Sequence, residues 1–362
     1  MNDSTEALIS QSLESHAADA PSDDTLLSGV HTRLRRRRFA RTTGAVVLAC
    51  AAVATAVTGI QSLTDEVSPA PAPSVAQPPP GWHWESFSNV QVQVPDSWRD
   101  IGASPGWACT EKKPAGPEIG RPSLGIMPTA ASGCLVEAPA LALRVPHLFF
   151  DLNPRAGTFP RDHGWTEETR VIDGLGLSVF SDDDAVRRRI LDSATLINST
   201  DVNGCAPSHP AALRPDLRPA SGSGLSSVGE VESVQVCAYR TGYGPDRPPL
   251  LASAEISGDR ARAVGDALLA APEVATGWET AEDPNLVLTR ALCQDGATEI
   301  LVLKVHGGEG DQEVLVRYAE CSGNGFDDGT TVRRLTKAAL QPLLTALGPP
   351  QVMTPFIEQI LR

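Results

Sequence analysis

The most constraining feature of the sequence is an uncharged apolar segment of 19 residues, Thr42–Ile60. At about 1.5 Å per residue, a helix of this length spans roughly 28 Å, which is close to the hydrocarbon thickness of a bilayer. No Lys or Arg occurs at 61–98, whereas six arginines precede the segment. Because basic residues stay on the cytoplasmic side, the sequence predicts a single transmembrane helix at 42–60 with a cytoplasmic N-terminus and extracytoplasmic C-terminal domains. The six arginines are Arg33, Arg35, Arg36, Arg37, Arg38 and Arg41.

Two export signals offer alternative interpretations of the same region. The tripeptide Ala54–Ala56 provides a small-x-small site at which a signal peptide could be cleaved. The run Arg36–Phe39 is similar to a twin-arginine export signal. The leader of 41 residues is long and partly acidic, which is unusual for a signal peptide, so an uncleaved anchor is favoured.

The formal net charge of −14 resides in the part of the chain that follows the apolar segment. Residues 1–41 carry six acidic and six basic side chains, which leaves 38 of the 44 acidic and 24 of the 30 basic residues for 61–362. An acidic surface disfavours nucleic acid as a partner, because phosphate contacts require clustered Lys and Arg.

Six of the seven cysteines lie beyond the apolar segment, whereas Cys50 lies within it and is expected to be a small packing residue. An even number of cysteines in an oxidising compartment predicts disulfides. Six cysteines allow 15 pairings, of which we favour pairing of neighbours in sequence. The expected pairs are Cys109–Cys134, Cys205–Cys237 and Cys293–Cys321. No C-x-x-C pair occurs, so a metal site is not indicated.

Composition and periodicity divide the chain into seven segments. They are a cytoplasmic tail (1–41), the transmembrane helix (42–60), a Pro-rich linker (61–81), a first extracytoplasmic domain (82–200), a connecting segment (201–228), a second extracytoplasmic domain (229–348) and a C-terminal tail (349–362). Each outer domain is expected to be α+β, with mostly antiparallel sheets and disulfides, because period-two strand patterns and hairpin turns alternate with single helices.

In the first outer domain, alternation predicts a strand at Ser86–Pro95. A hairpin is predicted from Thr166–Ile172 to Gly176–Phe180 through Asp173-Gly174, and Ser181 is expected to cap the helix that follows. The second outer domain is expected to contain strands at Val231–Tyr239, Leu250–Ile256, Leu286–Cys293, Glu299–His306 and Gln312–Cys321, and helices at Ser257–Leu269 and Thr331–Leu347.

No motif in the sequence indicates catalysis convincingly. Gly102–Gly106 matches G-x-S-x-G, but Pro105 follows Ser104 and has no N–H to form an oxyanion hole. Nucleotide-binding patterns and H-E-x-x-H do not occur, and the seven histidines are scattered. We therefore expect no catalytic residues, no metal and no cofactor.

Two sets of apolar residues are candidate partner surfaces. Trp82 and Trp84 form an aromatic pair where the linker enters the first outer domain; the alternative is that they close the edge of its core. In the cytoplasmic tail a stripe at helical spacing could bind a partner, or the tail could be disordered. That stripe consists of Leu26, Leu27, Val30 and Leu34.

Several stretches carry a resemblance to known proteins: Leu26–Arg38, the Ala/Val-rich anchor, the Pro-rich stalk, and the run Gly81–Trp98 containing GWHWESF and VQVPDSW. Together they resemble actinobacterial single-pass membrane proteins of uncharacterised function. The layout is also loosely similar to that of anti-sigma factors, which have a short inner tail, one span and an outer sensor domain. The zinc-type H-x-x-x-C-x-x-C motif of that group has no counterpart, since the tail contains no Cys.

The sequence therefore predicts a membrane-anchored extracytoplasmic protein that binds an unknown ligand or protein partner and has no catalytic activity. It is expected to contact the lipid bilayer through 42–60. Two alternatives stay open: a transmembrane regulator of anti-sigma type whose tail binds a cytoplasmic partner, and a cell-envelope enzyme. For the enzyme, a polar cluster would be sought among Ser104, His147, His163 and His306.

Overall fold

The computed structural model describes residues 78–101, 113–122, 139–214, 217–241, 247–274, 299–318, 324–350 and 355–362. The arginine run, the tail stripe and the apolar segment 42–60 lie outside these residues, as do Cys50, Cys109, Cys134, Cys293 and Cys321. In the part of the chain that is described, no helix has the length and apolar character needed to cross a membrane. The transmembrane helix at 42–60 therefore stays a prediction.

The described residues form fifteen strands and five α-helices. The strands are β1 (Trp82–Phe87), β2 (Val90–Pro95), β3 (Arg99–Asp100), β4 (Glu118–Gly120), β5 (His147–Asp151), β6 (Gly157–Pro160), β7 (Thr166–Ile172), β8 (Leu175–Ser181), β9 (Thr195–Leu196), β10 (Val231–Arg240), β11 (Leu250–Ser257), β12 (Glu299–Gly307), β13 (Gly310–Arg317), β14 (Gly325–Asp327) and β15 (Val332–Arg333). The helices are α1 (Asp184–Ser193), α2 (Pro210–Leu213), α3 (Asp259–Ala270), α4 (Lys337–Leu347) and α5 (Pro355–Leu361).

The strands build three sheets. The small sheet has the order β1-β2-β9, the N-terminal sheet β3-β4-β5-β8-β7-β6, and the C-terminal sheet β11-β10-β12-β13-β14-β15. Among the described strands only the pairs β3–β4 and β4–β5 are parallel. The fold class is α+β with mostly antiparallel sheets, as the sequence predicts.

The predicted hairpin around Asp173-Gly174 is confirmed, because β7 and β8 pair with Ile172 opposite Leu175. Asp173 and Gly174 both have positive φ, 48° and 78°, which a two-residue hairpin loop of the primed type requires. The single strand expected at Ser86–Pro95 is wrong in extent. A turn at Ser88 (φ 58°) divides it into parts of β1 and β2.

The predicted cap of α1 and the predicted start of α4 are both wrong. Asp183, and not Ser181, caps α1, since its carboxylate accepts hydrogen bonds from the N–H groups of Ala185 and Val186. The Ser181 hydroxyl, two residues earlier, instead accepts a hydrogen bond from the Asp183 N–H. The last long helix begins at Lys337 rather than at Thr331, because residues 332–333 pair with β14 as a strand.

The two faces of the C-terminal sheet pack against different elements, and successive side chains of β10 point alternately to one face and to the other. Val234, Val236 and Ala238 belong to the large hydrophobic cluster that also contains residues of α3 and α4. Cys237 and Tyr239 belong to a second cluster on the opposite side. There they pack against the cover segment, residues 197–214, which contributes its own buried side chains Ile197, Cys205, Ala211 and Ala212.

The large hydrophobic cluster is continuous across the described chain. It joins Phe87 and Val92 of the small sheet, Leu148 of the N-terminal sheet, and Val236 and Leu303 of the C-terminal sheet. All the described residues also belong to one compact unit. The division into two outer domains at 201–228 stays a prediction.

A disulfide fixes the cover segment to the C-terminal sheet. Cys205 and Cys237 are bonded with their Cα atoms 5.6 Å apart, and both are buried. This confirms one of the three predicted pairs; the other four cysteines lie outside the described residues. The Asp201 carboxylate adds a polar clamp, because it accepts hydrogen bonds from the Cys205 N–H and the Ser253 hydroxyl.

Removing this disulfide should destabilise the protein. The bond closes a loop with a sequence separation of 32 residues, so in the loop-entropy model the Cys205→Ala/Cys237→Ala variant should lose about 3–4 kcal/mol of unfolding free energy. Urea unfolding followed by Trp fluorescence measures the loss, since all six Trp lie beyond residue 81. A loss below about 1 kcal/mol would contradict a structural role for the bond.

Candidate functional site

The aromatic pair of the linker junction lies at the start of β1. Trp82 is half-buried, packs against the large hydrophobic cluster, and has the Arg189 guanidinium 4.0 Å from its ring centre. Trp84 is also half-buried, and its indole N–H is buried without a hydrogen-bond partner among the described residues. The Trp82 ring therefore contributes to the edge of the core, and the role of the two rings as a partner surface stays a prediction.

A buried cluster of charged side chains is centred on Arg121 and includes Glu85 of β1. The Arg121 side chain is 1% exposed, and its Nε donates to Asp100 at 2.6 Å. One terminal nitrogen, Nη2, donates to Glu85 at 2.5 Å. The other, Nη1, donates to the carbonyl oxygens of Ser86 at 2.8 Å and Leu251 at 2.6 Å. Four hydrogen bonds and two carboxylates thus satisfy this cation, as a buried charge requires.

The Arg121 cluster joins all three sheets. Arg121 directly follows β4, and its partners lie on β1 of the small sheet, β3 of the N-terminal sheet and β11 of the C-terminal sheet. The guanidinium also lies 5.9 Å from the ring centre of Phe87 and 5.2 Å from that of Phe150. The cluster is therefore a structural junction, and the sequence analysis did not identify it.

Little space is available beside this cluster. A cavity of about 10 Å³ is lined by Asp100, Arg121 and Glu299, which is room for about one water molecule. A wider, open groove of about 330 Å³ lies between α4 and α5 and is lined mainly by Leu344, Leu361 and the 348–350 turn. The charge cluster therefore has no room for an organic substrate.

The surface end of the cluster is His83. Its Nε2 lies 3.0 Å from the Glu85 carboxylate and its Nδ1 lies 3.3 Å from the Asp96 carboxylate. Burial by itself would lower the pKa of His83, but the hydrogen bonds and negative charges of Glu85 and Asp96 outweigh burial and raise it above its usual value. A continuous chain of charges thus leads from Asp96 at the surface to Arg121 inside.

The histidines named for an enzyme are distributed over separate places. His147 is buried on β5 with its ring centre 5.1 Å from that of Phe180, and burial lowers its pKa to about 4. His163 is exposed in the turn before β7. His306 lies on β12, where its Nδ1 is 2.8 Å from the Asp311 carboxylate. Ser104 is outside the described residues, within which no cluster of His, Cys, Asp or Glu is arranged to hold a metal ion.

On the side of the C-terminal sheet that faces the cover segment, two transverse rows of polar side chains stay wholly or partly exposed, and we name them the polar face. In the first row, Glu255 pairs with Gln235, Gln235 with Lys304, and Lys304 with Glu313. The second row consists of Ser257, Ser233, His306 and Asp311 in the same strand order. All eight side chains are exposed or half-buried.

The cover segment borders the polar face directly. His209, which caps α2, has its Nε2 3.3 Å from the Glu313 carboxylate. Gly204 lies against Gln235, and a Cβ at residue 204 would be 2.5 Å from the Gln235 amide nitrogen. The polar alternation of these strands was visible in the sequence, but only the strand register shows that four strands contribute to one surface.

Comparisons with protein-family models, with curated proteins and with solved structures found no match to this chain. The resemblance to actinobacterial single-pass membrane proteins therefore stays a prediction.

Replacing Arg121 should be strongly destabilising. Arg121→Met leaves the Glu85 and Asp100 carboxylates without their buried cation, which should cost about 3–5 kcal/mol of unfolding free energy. Urea unfolding measures the loss, and Arg188→Met, at a largely exposed arginine on α1, is the control that should change stability by less than about 0.5 kcal/mol. Equal losses in the two variants would contradict the central role of Arg121.

His147 should make the protein less stable in acid. Its folded-state pKa of about 4 lies below the usual 6.5, so the unfolded state binds more protons between these values and stability rises with pH across this window. Titration of His147 over this whole window changes the free energy of unfolding by at most about 3 kcal/mol. We expect His147→Gln to lose less stability than the wild type between pH 7 and pH 4.5, as measured by urea unfolding, whereas His163→Gln, at an exposed site, should behave like the wild type. An unchanged pH profile in His147→Gln would exclude this role.

Proposed function

We propose that the protein is a membrane-anchored extracytoplasmic binding module that recognises a partner through the polar face and carries out no catalysis. The anchor is the apolar segment 42–60, and its arginine flank lies in the cytoplasm. Three observations support the proposal. The disulfide indicates an oxidising compartment, the buried charged side chains are engaged in structural contacts, and the polar face is exposed.

The disulfide supports an extracytoplasmic location. The Cys205–Cys237 bond is buried between the cover segment and the C-terminal sheet, and disulfides form and persist mainly in oxidising compartments. The arginine flank independently favours export of everything beyond residue 60. Two unrelated features of the chain thus agree on the same topology.

The use of the buried charges supports a binding protein rather than an enzyme. Asp327 is fully buried and accepts two hydrogen bonds of 2.8 Å from Arg218. Asp328 accepts from the backbone N–H groups of Leu225 and Thr331. Like the Arg121 cluster, these carboxylates are engaged in holding loops and sheets together.

The polar face is the observation that carries the proposal. The helices α3 and α4 cover one face of the C-terminal sheet, and the cover segment closes half of the other. The polar face displays carboxylates, hydroxyls and the Lys304 ammonium on paired strands, with the Gln235 amide at its border against Gly204, so hydrogen-bond donors and acceptors are held at fixed spacings. A surface on rigid strands positions such groups more precisely than loops do.

Site-specific photo-crosslinking in the native cell tests this function. A photoreactive residue at Ser257 of the polar face should give a discrete adduct in the full-length chain, and the same residue at Asp266, exposed on α3, is the matched control. Adding Lys304→Glu should abolish the adduct from Ser257, because it reverses the charge at the centre of the first row. Protease treatment of intact cells should digest the adduct if it lies outside the membrane.

Two outcomes would overturn the proposal. Identical adducts from Ser257 and Asp266, or no adduct from either, would show that the polar face is not a binding surface. A specific cytoplasmic adduct from Leu27, together with none from Ser257, would favour the transmembrane regulator instead.

A further inference from the structure

Both ring nitrogens of His83 face carboxylate oxygens. Nε2 lies 3.0 Å from Glu85 Oε1, and Nδ1 lies 3.3 Å from Asp96 Oδ1. A neutral imidazole has one N–H donor and one lone pair, whereas the protonated ring has two N–H donors. Only the charged form can therefore donate to Glu85 and Asp96 at the same time.

The charged groups around the ring favour its protonated form. Glu85 lies on β1 and Asp96 directly follows β2, and within the described part of the chain these two carboxylates are the charged groups that contact the ring. The second Glu85 oxygen accepts a hydrogen bond from Arg121, which holds this carboxylate in place. The His83 side chain is 36% exposed, so it can exchange protons with the solvent.

The same residues close the junction between the linker and the folded unit. The Trp82 N–H donates to the Pro79 carbonyl at 3.1 Å, and the Asp96 N–H donates to the Gly81 carbonyl at 2.9 Å. Asp96 thus holds the last linker residues through its backbone and His83 through its side chain. Weakening the side-chain pair should loosen the backbone bond beside it.

We propose that His83 and Asp96 form a pH-sensitive latch that fastens the end of the Pro-rich linker to the folded unit when the ring is protonated. In the closed state His83 bridges Glu85 and Asp96, and the chain of charges runs unbroken to Arg121. When the ring loses its proton, one of the two carboxylates loses its donor. Because the contact with Asp96 is longer than the contact with Glu85, 3.3 Å against 3.0 Å, and the Asp96 carboxylate is more exposed to water, the contact that opens is the one with Asp96.

The direction of the pH effect follows from the raised pKa of His83. The stabilisation is complete below the unfolded-state pKa of about 6.5 and is lost as the pH rises through the higher folded-state pKa. The latch is therefore closed below the usual histidine pKa and opens as the pH rises through the higher pKa of the folded state. An extracytoplasmic protein experiences such changes directly, whereas the cytoplasm is buffered.

Histidine NMR and hydrogen exchange on the full-length chain in micelles test the latch. We expect the His83 ring to titrate above pH 6.5, and the amides of Trp82 and Asp96 to lose protection between pH 5.5 and 8.5 beyond the intrinsic change in exchange rate. In His83→Gln the protection of these amides should no longer depend on pH. The control His163→Gln, at an exposed histidine 3.7 Å from Asp162, should retain the wild-type dependence.

A second variant keeps the test independent of any folding defect in His83→Gln. Asp96→Asn removes a carboxylate whose side chain is 60% exposed and should lower the pKa of His83 while the Arg121 cluster stays intact. The latch is refuted if His83 titrates at or below 6.5 in the wild type. It is equally refuted if Asp96→Asn leaves the His83 pKa unchanged, or if His83→Gln keeps the pH dependence of amide protection.

Discussion

The structure depends on one buried cation, Arg121. A guanidinium in the interior is tolerated only when its charge is paired and its N–H groups are bonded, and here the partners come from three different sheets. The small sheet supplies Glu85 and Ser86, the N-terminal sheet supplies Asp100, and the C-terminal sheet supplies the Leu251 carbonyl. Satisfying this one side chain therefore fixes how the sheets are placed relative to one another.

Two surfaces of different character depend on two such structural constraints. The Arg121 cluster extends through Glu85 to His83 at the linker junction. The charge of His83 depends on pH, whereas that of Arg121 does not. On the C-terminal sheet the disulfide holds the cover segment over one half and leaves the polar face open on the other. Structural constraints, one ionic and one covalent, thus define both the proposed latch and the proposed binding surface.

Some features followed from the sequence because their physical causes are local. The Asp173-Gly174 turn has the residues that tolerate positive φ. The Cys205–Cys237 pair also agrees with the prediction, but it joins residues 32 apart in sequence and was one choice among the 15 pairings that six cysteines allow. The Arg121 cluster could not be predicted, since its partners lie 21, 36 and 130 residues away for Asp100, Glu85 and Leu251. The cap of α1 was misplaced by two residues because several adjacent side chains could act as caps, and packing selected Asp183.

The sequence by itself determined the α+β class and much of the strand pattern, because period-two patterns and turn residues act within a few residues of one another. Only the tertiary structure decided which side of each strand is covered. Ser233 and Val234 alternate in the same way whether their sheet has one open face or none. The polar face is exposed because the cover segment does not extend over both rows of polar side chains. The position of the cover segment depends on strand register and on a disulfide between residues that are distant in sequence.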